Sequence, residues 1–179
     1  IGNTTTSSAV ACVLLSREAS QLTGRGAGLS REGLERKIRV VEQAISRNRP
    51  DPEDPLDVIS KVGGFDIAGL CGVFLGGAIH GVPVLIDGFI SAIAALCAVR
   101  MCPKAEKALL ASHVSAEPAG RMVLDALQLQ PLITAGMRLG EGTGAVAAIP
   151  LLDMACAVYN ESYTFEQGGI DHYVPYGDS

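Results

Sequence analysis

Residues 67–86 run for 20 positions without a formal charge, and this stretch limits what the chain can become more than any other. Twenty apolar residues are enough to cross a bilayer as one helix. This run does not read as one helix. It holds Gly69, Gly72, Gly76, Gly77 and Gly81, and Pro83 lacks the N–H that a helix interior needs. The pattern predicts a helix over about 66–80 and a short strand over 82–86, both buried, with no membrane involved. A helix and a strand that are apolar on most sides require further layers to cover them.

The rest of the chain supplies those layers. Thr and Ser open an apolar helix at 4–16, and Ser30 caps a second at about 31–48, where Leu34, Ile38, Val41 and Ile45 recur at helical spacing. Further helices are predicted at 55–62, 90–101, 117–128 and 143–162. A second strand is expected at 107–111 and a weaker third at 131–137. Short apolar strands alternating with helices give an α/β class: a largely parallel, Rossmann-like sheet flanked by helices, with a smaller helical part. On this reading residues 1–145 belong to the large α/β domain. Residues 146–179 are a C-terminal helix belonging to the small helical part, followed by a loosely ordered tail.

Composition removes several functions. Lys and Arg number 14 against 19 Asp and Glu, a net charge of −5 with no basic block, which disfavours nucleic acid as a partner. The five cysteines are an odd number without a CxxC pair, so neither a disulfide framework nor a zinc cluster is expected, and a reducing cytoplasmic setting is.

In such sheets ligands bind at the carboxyl ends of strands. There the sequence turns polar and Gly-rich: Asp87-Gly88, Ser112-His113, and 138–141. Four motifs stand out. Gly2-Asn3-Thr4-Thr5-Thr6-Ser7 is a Gly turn entering a helix, which suits an anion and equally suits an ordinary N-cap. Gly24-Arg25-Gly26-Ala27-Gly28 is a weak dinucleotide fingerprint, since no strand precedes it, but it can flank a phosphate with Lys37 as counter-charge. Ser112-His113-Val114-Ser115-Ala116-Glu117 invites a hydrolase triad, yet there is no G-x-S-x-G elbow. Arg138-Leu139-Gly140-Glu141-Gly142-Thr143-Gly144 sets one carboxylate between two glycines. Glu141 there serves as a proton acceptor beside a planar ligand or as a helix-start acid, and spacing alone does not separate the two. His80 reads as a structural residue of the apolar helix and His172 as exposed.

Together these segments resemble the nicotinate-nucleotide–dimethylbenzimidazole phosphoribosyltransferase family. The resemblance is carried by residues 1–6, 24–29 with Lys37, Val-Gly-Gly-Phe-Asp-Ile-Ala (62–68), Pro-Val-Leu-Ile-Asp-Gly-Phe-Ile (83–90), 112–118 and 138–145, in the family's order, and it extends to about Phe165. The family commonly has Thr where Ala27 stands and Gly-His where Ala119-Gly120 stand. In the family Glu-Met-Gly precedes the first motif, so a chain opening at Ile1 is expected to be the C-terminal half, unable to turn over alone.

The resemblance implies transfer of phosphoribose from nicotinate mononucleotide to 5,6-dimethylbenzimidazole or related bases, in cobalamin lower-ligand synthesis, without metal or cofactor and in a homodimer. It implies Glu141 as general base, with inversion at the anomeric carbon. Gly2, Asn3, Thr4, Gly26 and Lys37 would hold the phosphate. Gly88 and Ser115 would meet ribose or phosphate, and Leu139 and Gly140 the benzimidazole. A phosphometabolite-binding domain without activity is the non-enzymatic rival, and a nicotinamide-dinucleotide oxidoreductase is disfavoured.

Overall fold

The computed structural model describes residues 3–171, which form two compact units that divide between Ala148 and Ile149. The first unit is organised around two helices with no wet face. In α1 (Asn3–Leu15) every residue from Ser7 to Leu14 is buried, and in α6 (Phe89–Met101) so are Phe89 and Ala92 through Ala98. A helix apolar all round has to lie inside. Small side chains such as Ala11 and Ala95 let the two pack closely in the core.

The other elements cover this pair. The short α2 (Ala19–Leu22), α3 (Arg31–Asn48) and α4 (Pro55–Val62) lie on α1. α3 is amphipathic, burying only Lys37 and Val41, and the Ser30 hydroxyl accepts from Gly33 N at 3.1 Å to cap it. Asp54 caps α4 by accepting from Leu56 N and Asp57 N.

α5 (Phe65–His80) packs on α6 through Ile67, Cys71, Phe74 and Gly77. The expected fully buried helix is therefore buried on one side only. Gly69, Gly72 and Gly76 bring no side chain to bury, and Phe65, 99% exposed, Val73 and Ile79 face outward. His80 is exposed in the last turn rather than part of an apolar face. The helix ends where Gly81 takes φ +66°, and Val82 N donates back to Gly77 O at 2.8 Å. Gly77 itself lies against Val84, and a Cβ there would overlap that side chain.

The chain then enters β1 (Val84–Ile86), which pairs in parallel with β2 (Leu109–Ala111) in the register Val84↔Leu109, Leu85↔Leu110, Ile86↔Ala111. Residues Pro103–Ala108 form a 3-10 turn, so β2 starts two residues later than the strand expected at 107–111. Residues 131–137 make a single parallel bridge, His113↔Ile133, instead of a regular strand. Gly136 at φ +62° ends the extended course there. The described architecture is thus helix-rich with a small parallel sheet, and α6 is the crossover between its strands.

α7 (Gly120–Ala126) follows Pro118 and packs on α6. α8 (Thr143–Glu161) starts in the first unit and carries Pro150. By length and composition alone α8 would pass for a bilayer span, a criterion that core helices of soluble proteins also meet. In the second unit, beyond α8, Thr164 and Gln167 exchange side-chain-to-backbone hydrogen bonds in a turn closed by Ile170 N on Phe165 O at 2.9 Å. His172 lies outside the described residues.

All five cysteines are free, and Cys12, Cys71 and Cys97 sit in the core. Burial, the largest influence on each, raises all three thiols: Cys12 to about 11 and Cys97 to about 12. A thiol that stays protonated is a poor nucleophile. In a full-length protein carrying this chain, these three should resist a thiol reagent at pH 8 and react once urea is added. Rapid labelling of any of them in the native protein, located by peptide mass, would contradict their core placement.

Candidate active site

The carboxyl ends of β1 and β2 open onto a cavity of about 1070 Å³ in the first unit. Asn3, Thr4, Gly26, Lys37, Gly88, Ser115, Leu139, Gly140 and Glu141 all line it. Gly2 lies outside the described residues. Phe74, Phe89 and Ile90 form an apolar wall between the polar ends.

One end is cationic. α1 begins at Asn3, and first-turn N–H groups of a helix lack intrahelical partners. Lys37, buried on α3, donates from Nζ to Thr4 Oγ1 at 3.0 Å and to Gly24 O at 2.9 Å. That leaves one of the three ammonium protons for another acceptor. Burial lowers the Lys37 pKa from its ordinary value, and the nearby Glu117 carboxylate opposes this. Gly26, at φ +54°, closes over the pair: a Cβ there would lie 2.9 Å from Thr4 Oγ1 and 3.6 Å from Lys37 Nζ. Not every hydroxyl of the Thr-Ser run is available. Thr6 Oγ1 donates to Asn3 O at 3.0 Å and Ser8 Oγ to Thr4 O at 2.8 Å, leaving Thr4 and Thr5 to line the cavity.

The floor comes from the strand ends. Ser112 is fully buried, and its Oγ donates to Ile86 O at 2.6 Å, with Asp87 O at 3.0 Å and His113 Nδ1 at 3.2 Å. A hydroxyl so enclosed ties β2 to β1 and is closed to a substrate carbonyl. Glu117 sits against Gly24 and interacts with Lys37. The hydrolase arrangement of Ser112, His113 and Glu117 is therefore not what the fold builds.

The far end is the Glu141 loop. Gly140, Glu141 and Gly142 are consecutively left-handed, at φ +77°, +58° and +81°. For Glu141, which carries a Cβ, that conformation costs roughly 1–2 kcal/mol. Thr143 Oγ1 donates to Gly140 O at 2.7 Å. Beyond it, Asp87 accepts from Gly142 N at 3.1 Å through Oδ2, and from Gly144 N at 2.8 Å and Ala145 N at 3.1 Å through Oδ1. Gly144 lies directly against the His113 ring, where a side chain would overlap Nδ1.

Sequence reasoning marked Asp87 only as a strand end. The available signal was the missing cap of α8. Gly142, just before the helix, has no side-chain acceptor, so one had to come from elsewhere in the chain. Among the described residues no group of three or more His, Cys, Asp or Glu side chains is arranged to hold a metal ion.

Comparison with known proteins places this geometry. A family model described as phosphoribosyltransferase matches residues 1–170. The nicotinate-nucleotide–dimethylbenzimidazole phosphoribosyltransferase of Acetivibrio thermocellus is 56% identical over 175 residues, covering 98% of this chain and 50% of that protein. The enzyme of the same name from Roseiflexus sp. (strain RS-1) is 52% identical over 170 residues, covering 95% and 48%. The crystal structure of CobT from Thermus thermophilus superposes with a TM-score of 0.89 at 40% identity, covering 97% of this chain and 51% of that one. The chain spans about half the length of the curated relatives it matches. With the motif order, the fold and the relatives in agreement, the chain belongs to the nicotinate-nucleotide–dimethylbenzimidazole phosphoribosyltransferase family.

Proposed function

We propose that a full-length protein carrying this chain moves phosphoribose from nicotinate mononucleotide to 5,6-dimethylbenzimidazole, giving nicotinate and α-ribazole 5′-phosphate for the lower ligand of cobalamin. The observation that carries the reading is one cavity lined by a buried ammonium, Lys37, and by a carboxylate on a strained loop, Glu141.

The phosphate sits at the cationic end, against Lys37, Thr4, Asn3 and Gly26, with Gly2 next to them in the chain. Gly88 and Ser115 approach the ribose from the floor. Leu139 and Gly140 lie beside the benzimidazole, and Glu141 takes its ring proton as general base. The electron pair of the breaking C1′–N bond goes to the nicotinate nitrogen. That nitrogen is cationic before the bond breaks and leaves neutral, so the departure needs no strong acid. The benzimidazole nitrogen forms the new bond from the opposite face, so the anomeric carbon inverts from β to α. Holding both rings about one ribose makes proximity a large part of the rate.

The strand pair β1–β2 with its bridge to Ile133 is this segment's share of a larger, Rossmann-like parallel sheet. The protein works in the cytoplasm, a reading favoured by its buried free thiols. It does so as a homodimer, consistent with the exposed apolar Phe65, Val73 and Ile79 on α5.

In a full-length enzyme, Glu141→Gln should lower kcat by ~10²–10⁴-fold with little change in either KM. An unchanged single-turnover rate would remove Glu141 from the chemistry. Lys37→Ala should weaken nicotinate mononucleotide binding by about 10–100-fold, as expected for loss of a charged hydrogen-bond donor, and leave benzimidazole binding nearly intact. Calorimetry that found both ligands weakened equally would take Lys37 out of the phosphate site.

A further inference from the structure

The backbone around Glu141 is not held by its neighbours in sequence. Three consecutive left-handed residues form a segment that persists only if its surroundings over-determine it. The Thr143 hydroxyl closes a turn inside the loop, but that turn moves with the loop. The anchor to the rest of the fold is Asp87, 55 residues from Gly142, with both carboxylate oxygens occupied by N–H groups of the residues that follow Glu141.

Asp87 is itself immobilised. It continues β1 directly, and Ser112 Oγ fixes Ile86 O at 2.6 Å and lies 3.0 Å from Asp87 O, so its backbone is locked to β2. Beside the Asp87 carboxylate, the His113 ring packs where Gly144 has no side chain. We infer that Asp87 is the positioning residue of the general base. It sets where the Glu141 carboxylate stands by gripping the N–H groups after it. This inference rests on the reading of Glu141 as the base.

The same contact has a second consequence. A helix N-terminus is an anion site, and three of them face this cavity, those of α1, α6 and α8. At α8 the N–H groups already hold an internal anion, which closes that site to a substrate phosphate.

The test is a cycle of variants in the full-length enzyme: Asp87→Asn, Asp87→Glu, Glu141→Gln, and each Asp87 change combined with Glu141→Gln. The Asn amide keeps one acceptor and turns a donor toward the Gly142 N–H. The Glu side chain keeps the charge but displaces it by one methylene. Because a 1 Å misplacement can cost about 10²-fold, each Asp87 variant should lose about 10–100-fold in kcat, with KM for nicotinate mononucleotide within about 2-fold. Each double variant should be no slower than Glu141→Gln alone, since a misplaced base that is already absent costs nothing more. Thermal melts confirm that the compared variants are folded, and Asp87→Glu keeps the charge at the helix end should Asp87→Asn fail to fold.

Four outcomes overturn the inference. The Asp87 variants could keep wild-type kcat, or Asp87→Glu alone could keep it, meaning that only charge near the helix matters. The losses could instead multiply with Glu141→Gln, placing Asp87 in an independent role. If Glu141→Gln is as fast as wild type, the base reading fails and takes this inference with it. That result differs from a slow Glu141→Gln beside unaffected Asp87 variants, which removes the inference alone.

Discussion

Two helices that bury every side of themselves dictate where everything else in the first unit can go. α1 and α6 have no solvent face along most of their length, so α3, α4, α5 and α7 are recruited as covers. Their small side chains bury little area each, at roughly 25 cal/mol per Å², so stability has to come from many close contacts instead of a few large ones. An interior of this kind is intolerant of rearrangement. The N-termini of both helices open on one cavity, at Asn3 and Thr4 for α1 and at Gly88 and Phe89 for α6. The same packing that makes the core thus brings the proposed phosphate contacts and ribose contacts to one rim.

Buried charge gives that rim its polarity. An ammonium taken out of water is tolerated only with partners, and Lys37 has two of them, Thr4 Oγ1 and Gly24 O, with Glu117 nearby. In the proposed reading a phosphate dianion completes the set. Elsewhere on the cavity a carboxylate, Asp87, is held by backbone donors just after the strained Glu141 turn, so this charge too is matched by polar partners.

Much of this is legible in the sequence, because the signals are local. Helix spans followed from apolar spacing and from caps such as Ser30. That Thr4, Gly26, Lys37 and Glu141 serve one site is what the family resemblance implied, and all four line the same cavity. What local reading could not reach is long-range compensation. The one-sided burial of α5 depends on what the glycines at 69, 72 and 76 leave empty, and the hydrophobic count alone treats them as core. The late start of β2 depends on Pro103–Ala108 closing a 3-10 turn first. The pairing of Asp87 with the start of α8 crosses 55 residues or more and has no periodicity to announce it.

The glycines around Glu141 take on a different meaning once Asp87 is included. Flanking glycines suggest room for a flat ligand near the backbone. Yet Gly144 is needed because the His113 ring occupies the space, and Gly140 and Gly142 because the chain turns left-handed on both sides of Glu141. They are conditions for gripping the loop as much as for admitting a base. A loop built of glycines would ordinarily be the softest part of a site, since each has the most conformational freedom to lose. Here three hydrogen bonds to one fixed carboxylate remove that freedom just after the residue proposed to take the proton. Flexibility in the sequence and rigidity in the site are reconciled by a single side chain on the neighbouring strand.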